Sequence, residues 1–330
     1  MSSLLELPIT FTDQLLKKLD RESLFVLRKV CSGLRNYIER VQPDYNIKTI
    51  RIVVHLRKVQ VWFSADIDNS IFYEQGCLVR KGNKETLLAN EDFIKICVDD
   101  MKVILSQQTQ VLSRFSLYLK FDCPEITGYS EQLQEGLHQI LKSRKTPIKV
   151  RNLELSALGQ EEILLFLPFF ELSGFFELSI SLYSSIGRTG NELLDLSEIE
   201  KLDQWKLART VQISNVNSVY IPSFSHFQKV SVSFSSVSFN DLAVLEEIFI
   251  HNPNMQKFLF YYQEFDENQL LEHLGEPQRG RLDHHSLNHW HIRIPRSQQV
   301  IHILTSFCHR RFIFYRENLT KVPIGFDILN

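Results

Sequence analysis

The sequence predicts an α/β fold, with a small N-terminal helical module followed by an irregular β/α solenoid. Three observations predict it. Between Pro8 and Ile38 the apolar side chains fall three and four apart, the interval of one helix face. After residue 110, short runs of alternating apolar residues recur every 19 to 36 residues. Most of the intervals between those runs carry helical spacing again. The expected division is 4–41 for the helical module, 42–110 for connecting strands and a helix that cap the array, and 111–330 for the array itself.

The first helix is read from Phe11, Leu15 and Leu19, four apart on one face. Pro8 suits a helix start, where its missing N–H costs nothing. Asp20 is a plausible cap for a second helix. That helix repeats Leu24, Leu27, Cys31, Leu34 and Ile38, with Lys17, Lys18, Arg28, Lys29 and Arg35 on the wet side. Gly33 weakens it locally and marks a break. Forty residues close no core of their own, so these apolar faces must lie on the rest of the chain or on a partner.

Leu7-Pro8, Leu15-Leu16, Leu19-Asp20, Leu27-Arg28 and Val30-Cys31 occur here in the order and spacing of an F-box, and residues 4–41 resemble that family. Thr10 stands where an acidic residue is usual, and Leu34 where the family often has Trp. The resemblance implies a job. F-boxes bind the Skp adaptor of SCF ubiquitin ligases, which assemble on a cullin scaffold. The positions it points to for adaptor docking are Leu7, Pro8, Phe11, Leu15, Leu16, Leu19, Leu24, Leu27, Val30, Cys31, Leu34 and Ile38. Helix-in-groove packing is the physics they would use.

Strands are expected over 47–80, from the alternation of Ile50, Ile52 and Val54 and of Val59, Val61 and Phe63. The turn Lys81-Gly82-Asn83-Lys84 follows, then a helix from Phe93 to Leu105. The array's strands centre on Phe115-Leu117-Leu119, Leu153-Leu155, Leu178-Ile180-Leu182, Val211-Ile213, Val230-Val232-Phe234, Phe258-Phe260, Trp290-Ile292-Ile294 and Phe312-Phe314. Helices between them are read from Leu133/Leu137/Ile140/Leu141, Ile163/Leu164/Leu167, Ile199/Leu202/Trp205, Leu242/Leu245/Ile248/Phe249, Leu270/Leu271/Leu274 and Val300/Ile303/Leu304/Phe307. Ser130, Ser197, Asn240 and Ser297 are candidate caps, and Gly275 a stop. Parallel strands need such crossovers, so the repeat predicts a leucine-rich-repeat-like array of irregular period. The stretch after the F-box also resembles the FTH domain that follows F-boxes in a large nematode family. Cys77-Leu78-Val79, Glu91-Asp92-Phe93, Leu167-Pro168-Phe169-Phe170 and Leu202-Asp203-Gln204-Trp205 carry that likeness.

No Gly-x-Gly-x-x-Gly, P-loop, Gly-x-Ser-x-Gly or His-Glu-x-x-His occurs, so the common nucleotide and hydrolase signatures are missing. Asp66-Ile67-Asp68-Asn69-Ser70 starts like a calcium loop, but Ile71 and Cys77 replace its Gly and Glu, leaving a polar hairpin turn. His284, His285, His289 and His291, beside Asp283, are dense enough to suggest zinc. Yet His289 and His291 alternate with Trp290 and Ile292 on an expected strand. They read as a solvent-facing recognition strand, with no metal, cofactor or catalytic residue expected.

If the apolar residues of each strand face the core, the intervening ones form an open face. Early strands put Asn152, Glu154, Ser179, Ser181, Thr210, Gln212 and Ser231 there. Late strands put Lys257, Leu259, Tyr261, His289, His291, Arg293, Arg311, Ile313 and Tyr315 there. Tyr, Arg and apolar anchors concentrate binding energy, so these nine are the candidate target-binding residues. Cations beside two tyrosines would suit an acidic or phosphorylated segment.

Composition sets the remaining bounds. The 330 residues carry a net charge of −2, which argues against a whole-chain polybasic role on nucleic acid or an anionic membrane. The longest apolar run, Ile163 to Phe170, is far short of the ~20 residues of a membrane span. Five scattered cysteines suggest reduced thiols, and the N-terminus lacks a leader's pattern, so a cytoplasmic or nuclear protein is expected. The expected function is a non-catalytic substrate receptor of an SCF-type ligase with an unknown protein target. The alternative is an interaction scaffold that recruits no ligase, and a His-cluster metalloenzyme is the weakest reading.

Overall fold

The computed structural model describes residues 7–19, 23–24, 27, 30–41, 47–55, 57–63, 70–76, 78–81, 84–87, 92–119, 124–182, 193–216, 220–278 and 287–329. It is mixed α/β and divides into two compact units. The first is Met1–Leu153 with Leu165–Gly174, the second Glu154–Leu164 with Phe175–Asn330.

The first unit opens with α1 (Ile9–Lys18) and α2 (Ser32–Val41). Pro8 sits at the N-cap of α1, and its carbonyl accepts from the Phe11 and Thr12 amides. The expected break in the second helix falls at Cys31, two residues before Gly33. The Tyr37 hydroxyl ties α2 to α1, donating to the Asp13 carboxylate at 2.8 Å. Asp20 lies outside the described residues.

Five strands follow: β1 (Thr49–His55), β2 (Lys58–Trp62), β3 (Ser70–Glu74), β4 (Leu78–Lys81) and β5 (Lys84–Leu87). They pair antiparallel in sequence order. The calcium-like stretch falls in the β2–β3 connection and, but for Ser70, lies outside the described residues. β6 (Leu112–Leu119) runs parallel to β1 on its other side, after the crossover helix α3 (Phe93–Gln107). Asp92 caps α3, its carboxylate accepting from the Ile94 amide at 2.8 Å. α4 (Pro124–Lys142) packs on α3. Gly136 makes that approach possible, because a Cβ there would meet the Val98 side chain at 2.6 Å. Ser130, expected as a cap, lies buried within α4. β7 (Ile148–Ala157), α5 (Gln160–Phe166) and β8 (Phe170–Leu182) complete the middle of the chain.

In the second unit β8, β9 (Thr210–Val216), β10 (Lys229–Ser236) and β11 (Lys257–Glu264) are parallel neighbours. α6 (Asp203–Leu207) and α7 (Phe239–His251) lie in their crossovers. α7 begins with a capping box, Ser238 and Asp241 satisfying each other's backbone amides, so the cap is Ser238 and not Asn240. α8 (Glu267–Leu274) stops at Gly275, which takes φ +72°.

The repeat ends at β11. β12 (Asn288–Arg293), β13 (Gln299–Ser306) and β14 (Arg311–Asn318) form an antiparallel meander, and β14 pairs antiparallel with β11. A solenoid running to the C-terminus is therefore not what the strand directions show. Each return in the meander is too short for a crossover helix, and Arg296 and Arg310 take positive φ in them. The helix expected at Val300/Ile303/Leu304/Phe307 is strand β13. Its residues Val300 to Ile303 are buried on both sheet faces, which erases the two-residue alternation.

The core of the second unit lies on the helical side of the sheet. Phe260 meets the rings of Phe234, Phe258, Tyr262, Phe312 and Phe314. Trp205 of α6 stands edge-on to Phe224 and Phe227. From β14, Arg316 reaches the C-terminus of α7. Its guanidinium donates to the carbonyls of Phe249, Asn252 and Met255, the last two at 2.7 and 2.8 Å. Carbonyls that α7 cannot bond internally are thus satisfied by a charged donor from the sheet.

Candidate functional site

Two surfaces stand out, one in each unit. In the first, the twelve docking positions divide by burial. Leu16, Leu24, Leu34 and Ile38 are at most 6% exposed. They hold the module together and have no surface to offer a partner, which corrects their assignment as contacts. The sequence periodicity located an apolar face but not which of its members remain wet. Pro8, Phe11, Val30 and Cys31 are exposed, while Leu7, Leu15, Leu19 and Leu27 are half-buried. Ile9, which the periodicity passed over, is 63% exposed, beside 53% for Phe11 and 63% for Val30. Ile9, Phe11 and Val30 thus leave three large apolar side chains in water on one small helical module.

In the second unit, strand register places all nine predicted target residues on the sheet face away from the helices. Lys257 pairs with Tyr315, Leu259 with Ile313, and Tyr261 with Arg311. Across β13, His302 lies between His291 and Tyr315, and Leu304 lies between His289 and Ile313. The face continues through Ser231, Gln212 and Ser179, which stand in one row with Leu259. Lys257, Tyr261 and Arg293 are exposed, and Leu259, His289, Arg311, Ile313 and Tyr315 are half-buried.

His291 departs from expectation. The sequence alternation predicts a solvent-facing ring, and it is 0% exposed. Two neighbours explain this. The His302 ring lies over it with 4.1 Å between centroids, and Phe326 stands edge-on at 5.6 Å. Phe326 arrives from the C-terminal segment, which turns at Gly325 with φ +92°. Leu329 then bonds the backbone of β12 at His291 and Arg293, and Gln278 bonds it at His289, so these two segments protect the strand's outer edge. His284, His285 and Asp283 lie outside the described residues.

The cluster also holds His302 and Glu317, which the sequence does not reveal, because the spacing around His302 predicts a helix. His302 Nδ1 lies 2.9 Å from the Glu317 carboxylate and also meets the Tyr315 hydroxyl, while its Nε2 lies 3.0 Å from His289 Nδ1. The signal available was the density of β-branched residues around His302. Burial holds His291 down to about 4, helped by the neighbouring His302. Burial and His289 lower His302 as well, and burial raises the Tyr315 phenol. Both rings are therefore neutral at pH 7, and imidazole lone pairs are available.

No helix among the described residues is long and apolar enough to cross a membrane. The F-box family model matches residues 4–45 and the FTH domain model matches residues 131–278. The chain is 22% identical over 275 residues to F-box A protein 224 of Caenorhabditis elegans, covering 80% of this chain and 67% of that protein. No solved structure matches it. The F-box match followed by the FTH match bears out both resemblances read from the sequence.

Proposed function

We propose that this chain is the substrate-recognition subunit of an SCF-type ubiquitin ligase. The F-box docks the Skp adaptor, which links it to the cullin scaffold, and the open face of the second unit holds a target protein. The chain supplies no catalytic group, and the complex works in the cytoplasm, the nucleus or both. The observation that carries the reading is the division of the F-box residues. Leu16, Leu24, Leu34 and Ile38 are spent inside, while Ile9, Phe11 and Val30 stay in water. Exposed apolar anchors on a preformed helical scaffold are what groove docking requires. For the target, Tyr261 and Arg293 are exposed residues of the types that dominate interfaces, on a rigid strand platform.

Co-purification with the Skp adaptor tests the first half. Phe11→Asp with Val30→Asp should weaken adaptor binding at least ~100-fold, because each carboxylate would enter an apolar groove unpaired. Both sites are exposed, so an unchanged circular dichroism spectrum is expected. Undiminished binding by this folded variant would overturn the adaptor assignment. Capture of a partner through Tyr261 and Arg293, with no adaptor bound, would instead support an interaction scaffold. A tagged chain found only outside the cytoplasm and nucleus would overturn the localisation.

A further inference from the structure

The strongest feature that adaptor docking leaves unused is the histidine cluster of β12, β13 and β14. His291 is wholly buried, and neither of its ring nitrogens has a hydrogen-bond partner among the described residues. A neutral imidazole carries one N–H and one lone pair. Leaving both unused in a closed site is costly, and an ion bound at the ring would remove that cost.

The surrounding groups fit that ion. His289 and His291, two apart on β12, project from the same sheet face, and His302 is the register partner of His291 on β13. The Glu317 carboxylate faces His302 Nδ1 at 2.9 Å. With the ring proton on Nε2, donated to His289 Nδ1 at 3.0 Å, the Nδ1 lone pair of His302 is turned toward Glu317. A group that accepts the other N–H of a ligating histidine is the usual second support of a metal ligand. Donor atoms of His291, His302 and Glu317 all fall within 4.8 Å of one another.

We infer that His291, His302 and Glu317 form a site for a divalent transition ion of the zinc class. Two imidazoles with one carboxylate favour zinc over the oxygen-seeking calcium and magnesium. The ion ties β12 to β13, and Glu317 extends the tie to β14. The antiparallel meander that ends the sheet is thereby cross-linked. The site lies beyond residue 278, where the FTH match ends, and depends on neither the adaptor nor a target.

The test uses the full chain without a histidine tag, stripped with chelator and dialysed. Co2+ alone is titrated and the visible d–d absorption recorded, then Zn2+ is added to displace it. One equivalent of Co2+ should give an intense tetrahedral spectrum, and Zn2+ should raise the thermal midpoint by several degrees. His291→Asn and His302→Asn should abolish both effects. Glu317→Gln should weaken Zn2+ affinity at least ~10-fold. His251→Asn, exposed on α7, should change nothing. Absence of a spectrum in the wild-type chain overturns the site, and this holds even if a variant fails to fold. A spectrum that survives His291→Asn or His302→Asn in a folded variant overturns it equally.

Discussion

The parallel strands β8–β11 and the antiparallel strands β12–β14 belong to one unit but are supported differently. In β10 and β11, burial alternates residue by residue, with Val230, Val232, Phe258 and Phe260 inward and Ser231, Ser233, Lys257 and Tyr261 toward water. In β12 and β13 it does not. Trp290, His291 and Ile292 are buried in succession, as are Val300 to Ile303. One half rests on helices on a single side. The other is covered on both sides, by α7 against Ile303 and Phe314 and by Phe326 against His291. β13, covered on both sides, loses the readable sequence period that the strands covered once keep.

The largest expected effect is in the half with single-sided support. Phe260 is 1% exposed and touches five aromatic rings, so Phe260→Ala should cost about 3–5 kcal/mol in urea unfolding. A loss below about 1 kcal/mol would mean that the rings around Phe260 contribute little to the core of this unit. Next is Arg316→Met, which removes the charged donor from three α7 carbonyls. It should cost about 2–3 kcal/mol and speed hydrogen exchange in the last turn of α7. Unchanged exchange there would show that α7 holds its own end without β14. The smallest effect belongs to His291. Its folded-state value of about 4 lies below the ordinary 6.5, so the unfolded chain takes up the proton first. The stability it contributes is complete above about pH 6.5 and is lost as pH falls toward 4. With chelator present, the drop from pH 7.5 to 5 should cost stability, of which His291 contributes about 2 kcal/mol, and His291→Leu should shrink that slope to the share of His302. An equal slope in the variant would place the titrating group elsewhere.

The elements most legible in the sequence are those with one wet side. The spacing of Leu242, Leu245 and Phe249 located α7, and the alternation of Val230, Val232 and Phe234 located β10. The nine open-face residues follow as a set because the two-residue period fixes their side once the strand is known. His302 and Glu317 were not legible. Val300, Ile303, Leu304 and Phe307 match a helix period as well as a buried strand, and periodicity alone does not separate the two.

The sequence by itself determined the F-box helices, the eight strands with visible alternation and the polar-to-aromatic change along the open face, because each follows from local chain geometry. Tertiary structure alone decided three things. It turned the end of the array into an antiparallel meander, since strand direction depends on where a loop delivers the chain. It sorted the F-box apolar residues into core and surface, since both kinds share one helical period. And it brought His291, His302 and Glu317 from three strands into one cluster, since register between strands is set by pairing that no single segment contains.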